Sequence, residues 1–189
     1  MSTTIYMIRH GETPWNIEGR YQGQLDPPLT EKGQQQAQAT ALKLAPLGFD
    51  AIYSSDLTRA RQTAEALARA TGLPIQFDSR LREIHQGKWQ GVLIGDIRKG
   101  WPDELAGWEN DPWNHHPPEG ESLQAQQARV TAAFDDIVAR HLSGKVAVFT
   151  HKLPIALLKI RLQGPPPEQI WSLLPANAAW EIFEVNDDK

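Results

Sequence analysis

The sequence predicts an α/β protein: a three-layer α/β/α sandwich around a mostly parallel sheet. Short, β-prone apolar runs alternate with longer segments of helical periodicity, the order that covers parallel strands with helices on both faces. Several of these runs stop abruptly at polar residues, as buried strands do where a sheet reaches its ligand-binding edge. There is no internal repeat and no linker long enough to divide domains, so the 189 residues read as one domain spanning 1–189.

Taken in order, Ile5–Arg9 is an apolar run that ends at Arg9-His10-Gly11, with Glu12-Thr13-Pro14 as a turn. Thr30 is an N-cap for the helical stretch "EKGQQQAQATALKLAPLG", in which Ala37, Ala41, Leu42 and Leu44 lie roughly on one face and Gly48 is the stop. "FDAIYSS" is a second strand. Asp56 is a candidate cap for the next helix, "LTRARQTAEALARATG", which closes at Gly72. "LPIQFD" is a third strand and "SRLREIHQGKWQG" is irregular. The stretch 94–120, rich in Trp, Pro and Gly, reads as an excursion over the edge of the sheet, of the kind that serves as a lid. Ser122 starts a long helix to about His141, "KVAVFTH" is a fourth strand, and "LPIALLKIRLQG" is a helix with Pro154 near its first turn. "AAWEIFEV" closes the chain as an edge strand.

Composition narrows the function. With 40% hydrophobic and 22% charged residues the chain has ordinary globular balance. A net charge of −4 without a basic tract argues against general nucleic-acid binding. The absence of cysteine rules out disulfides, thiolate metal sites and a thiolate nucleophile. No run approaches membrane-spanning length and no charged-then-apolar leader opens the chain, so a cytoplasmic location without membrane association is expected.

The polar strand ends carry the chemistry. The first ends at Arg9-His10, the second at Ser54-Ser55 with Arg59 one turn into the next helix, and the fourth at Thr150-His151. Open α/β sheets bind ligands beyond the carboxyl ends of their strands, which brings His10, Arg59 and His151 to one rim. Two histidines with arginines suit a phosphate dianion: guanidinium groups bind its oxygens, one histidine can attack phosphorus, and the second can donate to the transferring oxygens. Glu83, after the third strand, is the candidate acid for the leaving oxygen. Gly11 is expected to let the backbone approach the phosphate.

These segments resemble the histidine phosphatase superfamily, also called phosphoglycerate-mutase-like. "IRHGETPWN" is similar to the family signature, and "GRYQGQLDPPLTEKG", "IYSSDLTRARQTAE", "LREIHQGKWQG", "PPEGES" and "THKLPIALL" follow in the family's order over nearly the whole chain. The resemblance implies that His10 becomes phosphohistidine, that Arg9, Arg59 and His151 form the phosphate pocket with a contact from Asn16, and that Glu83 serves as acid and then as base for water. It places Gln22 and Gly23 where relatives touch substrate and implies no metal and no cofactor. The partner is then a small phosphomonoester. Assembly is left open, with a homodimer as one option.

Other residues carry weaker signals. Arg61 points away from Arg59 and reads as an ion-pair residue. His115-His116 lack ligand partners at metal spacing, His141 suits a helix C-terminus, and Arg80 and Arg82 read equally as solvated charges or pocket residues. His85 is a candidate substrate contact. Lys152 stands where many relatives carry glycine and could read a second anion. The short chain favours phosphatase activity over a cofactor-dependent phosphoglycerate mutase, whose relatives are longer. A catalytically inactive binding module is disfavoured because every expected position is filled. Among substrates, a phosphorylated acid such as phosphoserine is the leading expectation.

Overall fold

The computed structural model describes residues 2–186. The chain runs β1 (Ser2–Arg9), α1 (Pro14–Glu18), α2 (Glu31–Leu44), β2 (Ala51–Ser54), α3 (Thr58–Thr71), β3 (Ile75–Phe77), α4 (Ile94–Gly100), α5 (Pro102–Asn110), α6 (Leu123–Arg140), β4 (Lys145–Thr150), α7 (Lys152–Gln163) and β5 (Trp180–Asn186). The five strands lie in the order β3-β2-β4-β1-β5, with β5 alone antiparallel to its neighbour. This is the expected three-layer α/β architecture, and the last strand takes the expected edge.

Residue alternation along the strands divides the core. Ile5, Met7, Val146 and Val148 face α6 and α7, where they pack on Phe134, Ile137, Ile155 and Leu158. Ile8, Ala147 and Phe149 face the other way, onto Ala37, Ala41 and Leu44 of α2 and Ala64 and Leu67 of α3. Each fully buried aliphatic side chain contributes about 1.5–3 kcal/mol relative to exposure, so both faces of the central strands must be covered. A third cluster lies outboard of the sheet, where Ile84, Trp89, Ile97, Leu105 and Trp108 meet Leu123, Leu153 and Leu157. Segment 94–120 is thus largely helical and anchored by buried side chains. Trp89 and Trp108 are among the largest residues buried anywhere in the described chain.

Local chemistry fixes the element ends. Thr30 Oγ1 accepts from Gly33 N–H and Ser122 Oγ from Ala125 N–H, as the sequence predicts. Asp56 differs from expectation. Its carboxylate pairs with Arg82, while Asp26 from a distant loop receives Thr58 N–H at 2.6 Å and Thr58 Oγ–H at 2.7 Å. The helix is still capped at its N-terminus, but by a carboxylate 32 residues upstream. Local sequence cannot show such a cap. Among the described residues no helix is long and apolar enough to cross a membrane.

Candidate active site

The register of the sheet assembles the rim. Arg9 pairs with Thr150 and Ser54 with Phe149, so the residues that follow leave adjacent strands at one level. His10 N–H donates to Thr150 O at 3.0 Å and Ser55 N–H to Phe149 O at 2.9 Å, extending the ladder one step. His10 and His151 thereby face each other with ring centroids 5.2 Å apart, close to the spacing of neighbouring strands.

His10 opens on a cavity of about 250 Å³, lined also by Arg9, Asn16, Arg59, Glu83 and Lys152, among others, whereas His151 is fully buried behind His10 and is absent from the lining. His10 Nδ1 lies 2.7 Å from Gly11 O. A carbonyl only accepts, so Nδ1 carries the proton and Nε2 keeps a lone pair. Burial, with Arg59 and Arg9 nearby, holds the His10 pKa well below its ordinary value, and His151 is depressed for the same leading reasons. Both rings are neutral near pH 7. His151 Nε2 lies 3.0 Å from Ser55 Oγ, which already accepts from Leu57 N–H and so has its own hydrogen free for the ring. His151 Nδ1 is buried without a partner among the described residues, as are Arg9 Nε and Arg59 Nε.

The arginines are braced by carbonyls. Arg9 Nη1 donates to Pro175 O at 2.7 Å; Arg59 Nη1 donates to Leu25 O at 2.8 Å and Nη2 to Gly23 O at 2.7 Å. No carboxylate is within ion-pair distance of either guanidinium among the described residues. Burial pulls the Arg59 pKa down to about 10, opposed by Glu83 and Asp26, and it remains a full cation near neutrality. Glu83 Oε1 accepts from Ile84 N–H at 2.9 Å and Gln126 Nε2–H at 3.2 Å, which leaves Oε2 free. Asn16 Oδ1 accepts from Thr13 and from Asn177 Nδ2, leaving its own Nδ2 hydrogens for the cavity.

Gln22, Gly23 and Lys152 also line the cavity. Lys152 has no hydrogen-bond or ion-pair partner among the described residues, and burial lowers its pKa. Two expectations differ from what is found. Gly11 is absent from the lining: a Cβ there would stand 2.5 Å from Gly33 O, so it is the crossing of the chain over α2 that demands glycine. His85 is turned away too, with Nδ1 accepting from Gly87 N–H and Nε2 against Gln90, and Gln86 takes the place by the cavity. Arg80 and Arg82 are occupied by Asp78, Asp136 and Asp56. Arg61 pairs with Glu65, and His141 meets the Tyr53 hydroxyl. Among the described residues no group of acidic, histidine or cysteine side chains could hold a metal ion.

Sequence reasoning missed Ser55 as a partner of His151, and Asn177, whose Nδ2 donates to His10 O and Asn16 Oδ1. It also missed Trp15, Arg20, Tyr21 and Ile94, which complete the wall of the cavity. Trp15 lies inside the "IRHGETPWN" signature and Arg20 and Tyr21 inside "GRYQGQLDPPLTEKG", so these three carried a local signal, whereas Ile94 carried none.

Residues 5–189 match the histidine phosphatase superfamily (branch 1), and the chain belongs to that family. It is a phosphatase of the histidine phosphatase type. Phosphoserine phosphatase 1 of Hydrogenobacter thermophilus is 33% identical over 183 residues, 97% of this chain and 87% of its own. Escherichia coli GpmB, which carries a phosphoglycerate mutase name, is 39% identical over 165 residues, 86% of this chain and 75% of its own. The structure of mycobacterial glucosyl-3-phosphoglycerate phosphatase superposes with a TM-score of 0.89 at 34% identity, covering 97% of this chain and 91% of that one.

Proposed function

We propose that the chain hydrolyses a small phosphorylated acid through phosphohistidine at His10, without a metal. One observation carries this reading. A neutral histidine with a free Nε2 shares a cavity with the buried guanidiniums of Arg9 and Arg59, whose Nε donors are unpartnered, and the ring of His151, with its Nδ1 unpartnered, faces it at 5.2 Å. Unsatisfied buried donors are costly, and three oxygens of a phosphoryl group would satisfy them.

His10 Nε2 gives its lone pair to phosphorus, and the bond from phosphorus to the substrate oxygen breaks. Nδ1–H stays on Gly11 O and stabilises the positive charge that the ring gains. Arg9, Arg59 and His151 hold the three spectator oxygens, with Asn16 Nδ2 beside them. Glu83 Oε2–H passes its proton to the departing oxygen. The resulting carboxylate then takes a proton from water, whose oxygen attacks phosphorus, and the P–N electron pair returns to Nε2.

The substrate class rests on Lys152. Two relatives are named for phosphoserine and glucosyl-3-phosphoglycerate, both of which carry a carboxylate beside the phosphate. An unpaired lysine lining a 250 Å³ cavity supplies a counter-charge for one. Such charged metabolites do not cross membranes unaided, so a cytoplasmic setting belongs to the same reading. The GpmB name keeps phosphoryl transfer to a second hydroxyl as the competing outcome.

The test is a panel of phosphomonoesters in excess EDTA, with free phosphate measured and labelled phosphoenzyme trapped and mapped. Phosphate release from acidic phosphomonoesters and label on His10 are expected. Activity abolished by EDTA and restored by Mg²⁺ or Zn²⁺, label elsewhere, or transfer without release would overturn the reading.

A further inference from the structure

Glu83 sits on no helix or strand, yet its carboxyl has to meet a leaving oxygen within hydrogen-bond reach. Its loop is anchored by the buried side chains of Leu81 and Ile84, and Gln24 Nε2–H donates to Glu83 O at 3.2 Å, but the densest set of polar contacts comes from α6. Arg129, in the second turn of α6, is one-fifth exposed and spreads its guanidinium over three successive parts of that loop. Nη1 donates to Arg80 O at 2.8 Å and Arg82 O at 2.7 Å, and Nη2 donates to Glu83 O at 2.9 Å. Nε and Nη2 also grip the Glu121 carboxylate at 2.6 and 2.8 Å.

Glu121 continues the hold on the far side of Glu83. Its Oε2 accepts from His85 N–H at 3.2 Å, and its own N–H donates to His85 O at 2.8 Å. Lys88 N–H donates to Pro118 O at 2.9 Å, so the two segments run bonded side by side. Gln126, one turn before Arg129 and fully buried, donates to Glu83 Oε1. The backbone is fixed before and after Glu83, and one carboxylate oxygen is fixed as well.

We infer that the Arg129–Glu121 pair is a positioning device for the proton donor: it sets Glu83 Oε2 at the leaving-group side of the cavity. The inference rests on the reading of Glu83 as the acid. Neither member of the pair lines the cavity, and all five N–H donors of Arg129 are spent on the loop carbonyls and on Glu121, which leaves none for substrate. A planar fork of five donors can serve three carbonyls and a carboxylate together, whereas an ammonium of the same charge cannot. A displaced donor harms only a reaction that needs the proton. Alkyl esters need it, while aryl esters leave as stable phenolates.

The test compares kcat/KM for the alkyl phosphomonoester that the enzyme hydrolyses fastest with that for p-nitrophenyl phosphate. Arg129→Ala is expected to lower the alkyl value about 100-fold and the aryl value less than about threefold, the range of a lost general acid. Arg129→Lys should restore part of the alkyl loss, and Glu121→Gln should show the same selectivity at about tenfold. In a Glu83→Gln background, Arg129→Ala should cost less than about threefold on either ester, because the two act through one proton. Equal losses on both esters with unaltered thermal unfolding, or an undiminished Arg129 penalty in that background, would overturn the inference. Where Arg129→Ala does not fold, Glu121→Gln decides on the same ratio. Should Glu83→Gln slow both esters alike, the acid role falls and the positioning role with it. A selective Glu83→Gln beside an unselective Glu121→Gln removes the positioning role alone.

Discussion

His10 and Glu83 face the same cavity from opposite kinds of support. His10 follows a strand buried on both faces, and its place is set by the ladder that joins β1 to β4. Glu83 lies in an irregular loop between the buried Leu81 and Ile84, and its carboxyl is placed largely by polar side chains from α6 and from the turn before it. Moving His10 means breaking a sheet; Leu81 and Ile84 bury the chain on either side of Glu83, but turning the Glu83 carboxyl itself requires the loss of only a few polar contacts. The phosphate end of the site is therefore rigid through backbone, and the leaving-group end through charge-assisted hydrogen bonds. A rigid phosphate end suits a group common to all substrates.

The largest losses are expected at the rigid end. His10→Ala should lower turnover of every phosphomonoester by about 10⁴-fold or more, since no other side chain can form the covalent bond. Arg59→Ala should cost about 10²–10³-fold, the usual loss for a preorganised charged donor, again without regard to leaving group. Steady-state kinetics on alkyl and aryl esters check both. Dependence of either loss on the leaving group would erase the distinction between the two ends.

The same distinction explains what the sequence could show. Apolar runs stopping at Arg9-His10, Ser54-Ser55 and Thr150-His151 are local patterns, and parallel pairing turns them into a shared rim. Thr30, Ser122 and the edge strand were legible for the same reason: their signals lie within a few residues. The cap from Asp26, the Arg129 fork and the Asn177 contacts join residues 32 to 167 positions apart. No local period encodes such pairings. Gly11 shows a subtler limit, because its place in the signature was plain but its reason was not. Only the crossing with Gly33 shows that a backbone, and not a ligand, forbids its side chain.

Acid should destabilise the histidine end of the site before it reaches the surface carboxylates. His10 and His151 are buried neutral, with folded pKa values below the unfolded value near 6.5. The unfolded chain then binds more protons as pH falls through 6.5, so stability is full above that pH and declines below it. Each ring contributes up to about 1.4 kcal/mol per pH unit until its folded pKa is reached. Asp56 and Asp78 are depressed instead by their arginine partners, against burial, and their stabilisation is lost only at lower pH, below the ordinary aspartate range. Denaturant unfolding from pH 7 to pH 5 should show His10→Gln losing less stability than the parent chain. Parallel curves for the two proteins over that interval would mean that His10 is not held neutral.

The smallest effect is expected at Lys152, which belongs to neither end. It opens α7 directly after His151, so the sheet carries its backbone, but its ammonium has no partner among the described residues. Burial lowers its pKa, with Arg9 acting in the same direction and Glu83 against, so the cation gains from any anion brought to it. A substrate carboxylate would make that contact in the ground state and keep it in the transition state, because the reacting bonds lie elsewhere. Such uniform binding appears in KM and not in kcat. Lys152→Ala should therefore raise KM for acidic phosphomonoesters by about three- to tenfold, with kcat and all constants for neutral esters nearly unchanged. Lys152→Arg should retain most of the preference. An equal change for acidic and neutral esters would make Lys152 a contributor to the phosphate field alone, and the site would then select its substrate through the wall of Trp15, Tyr21 and Ile94.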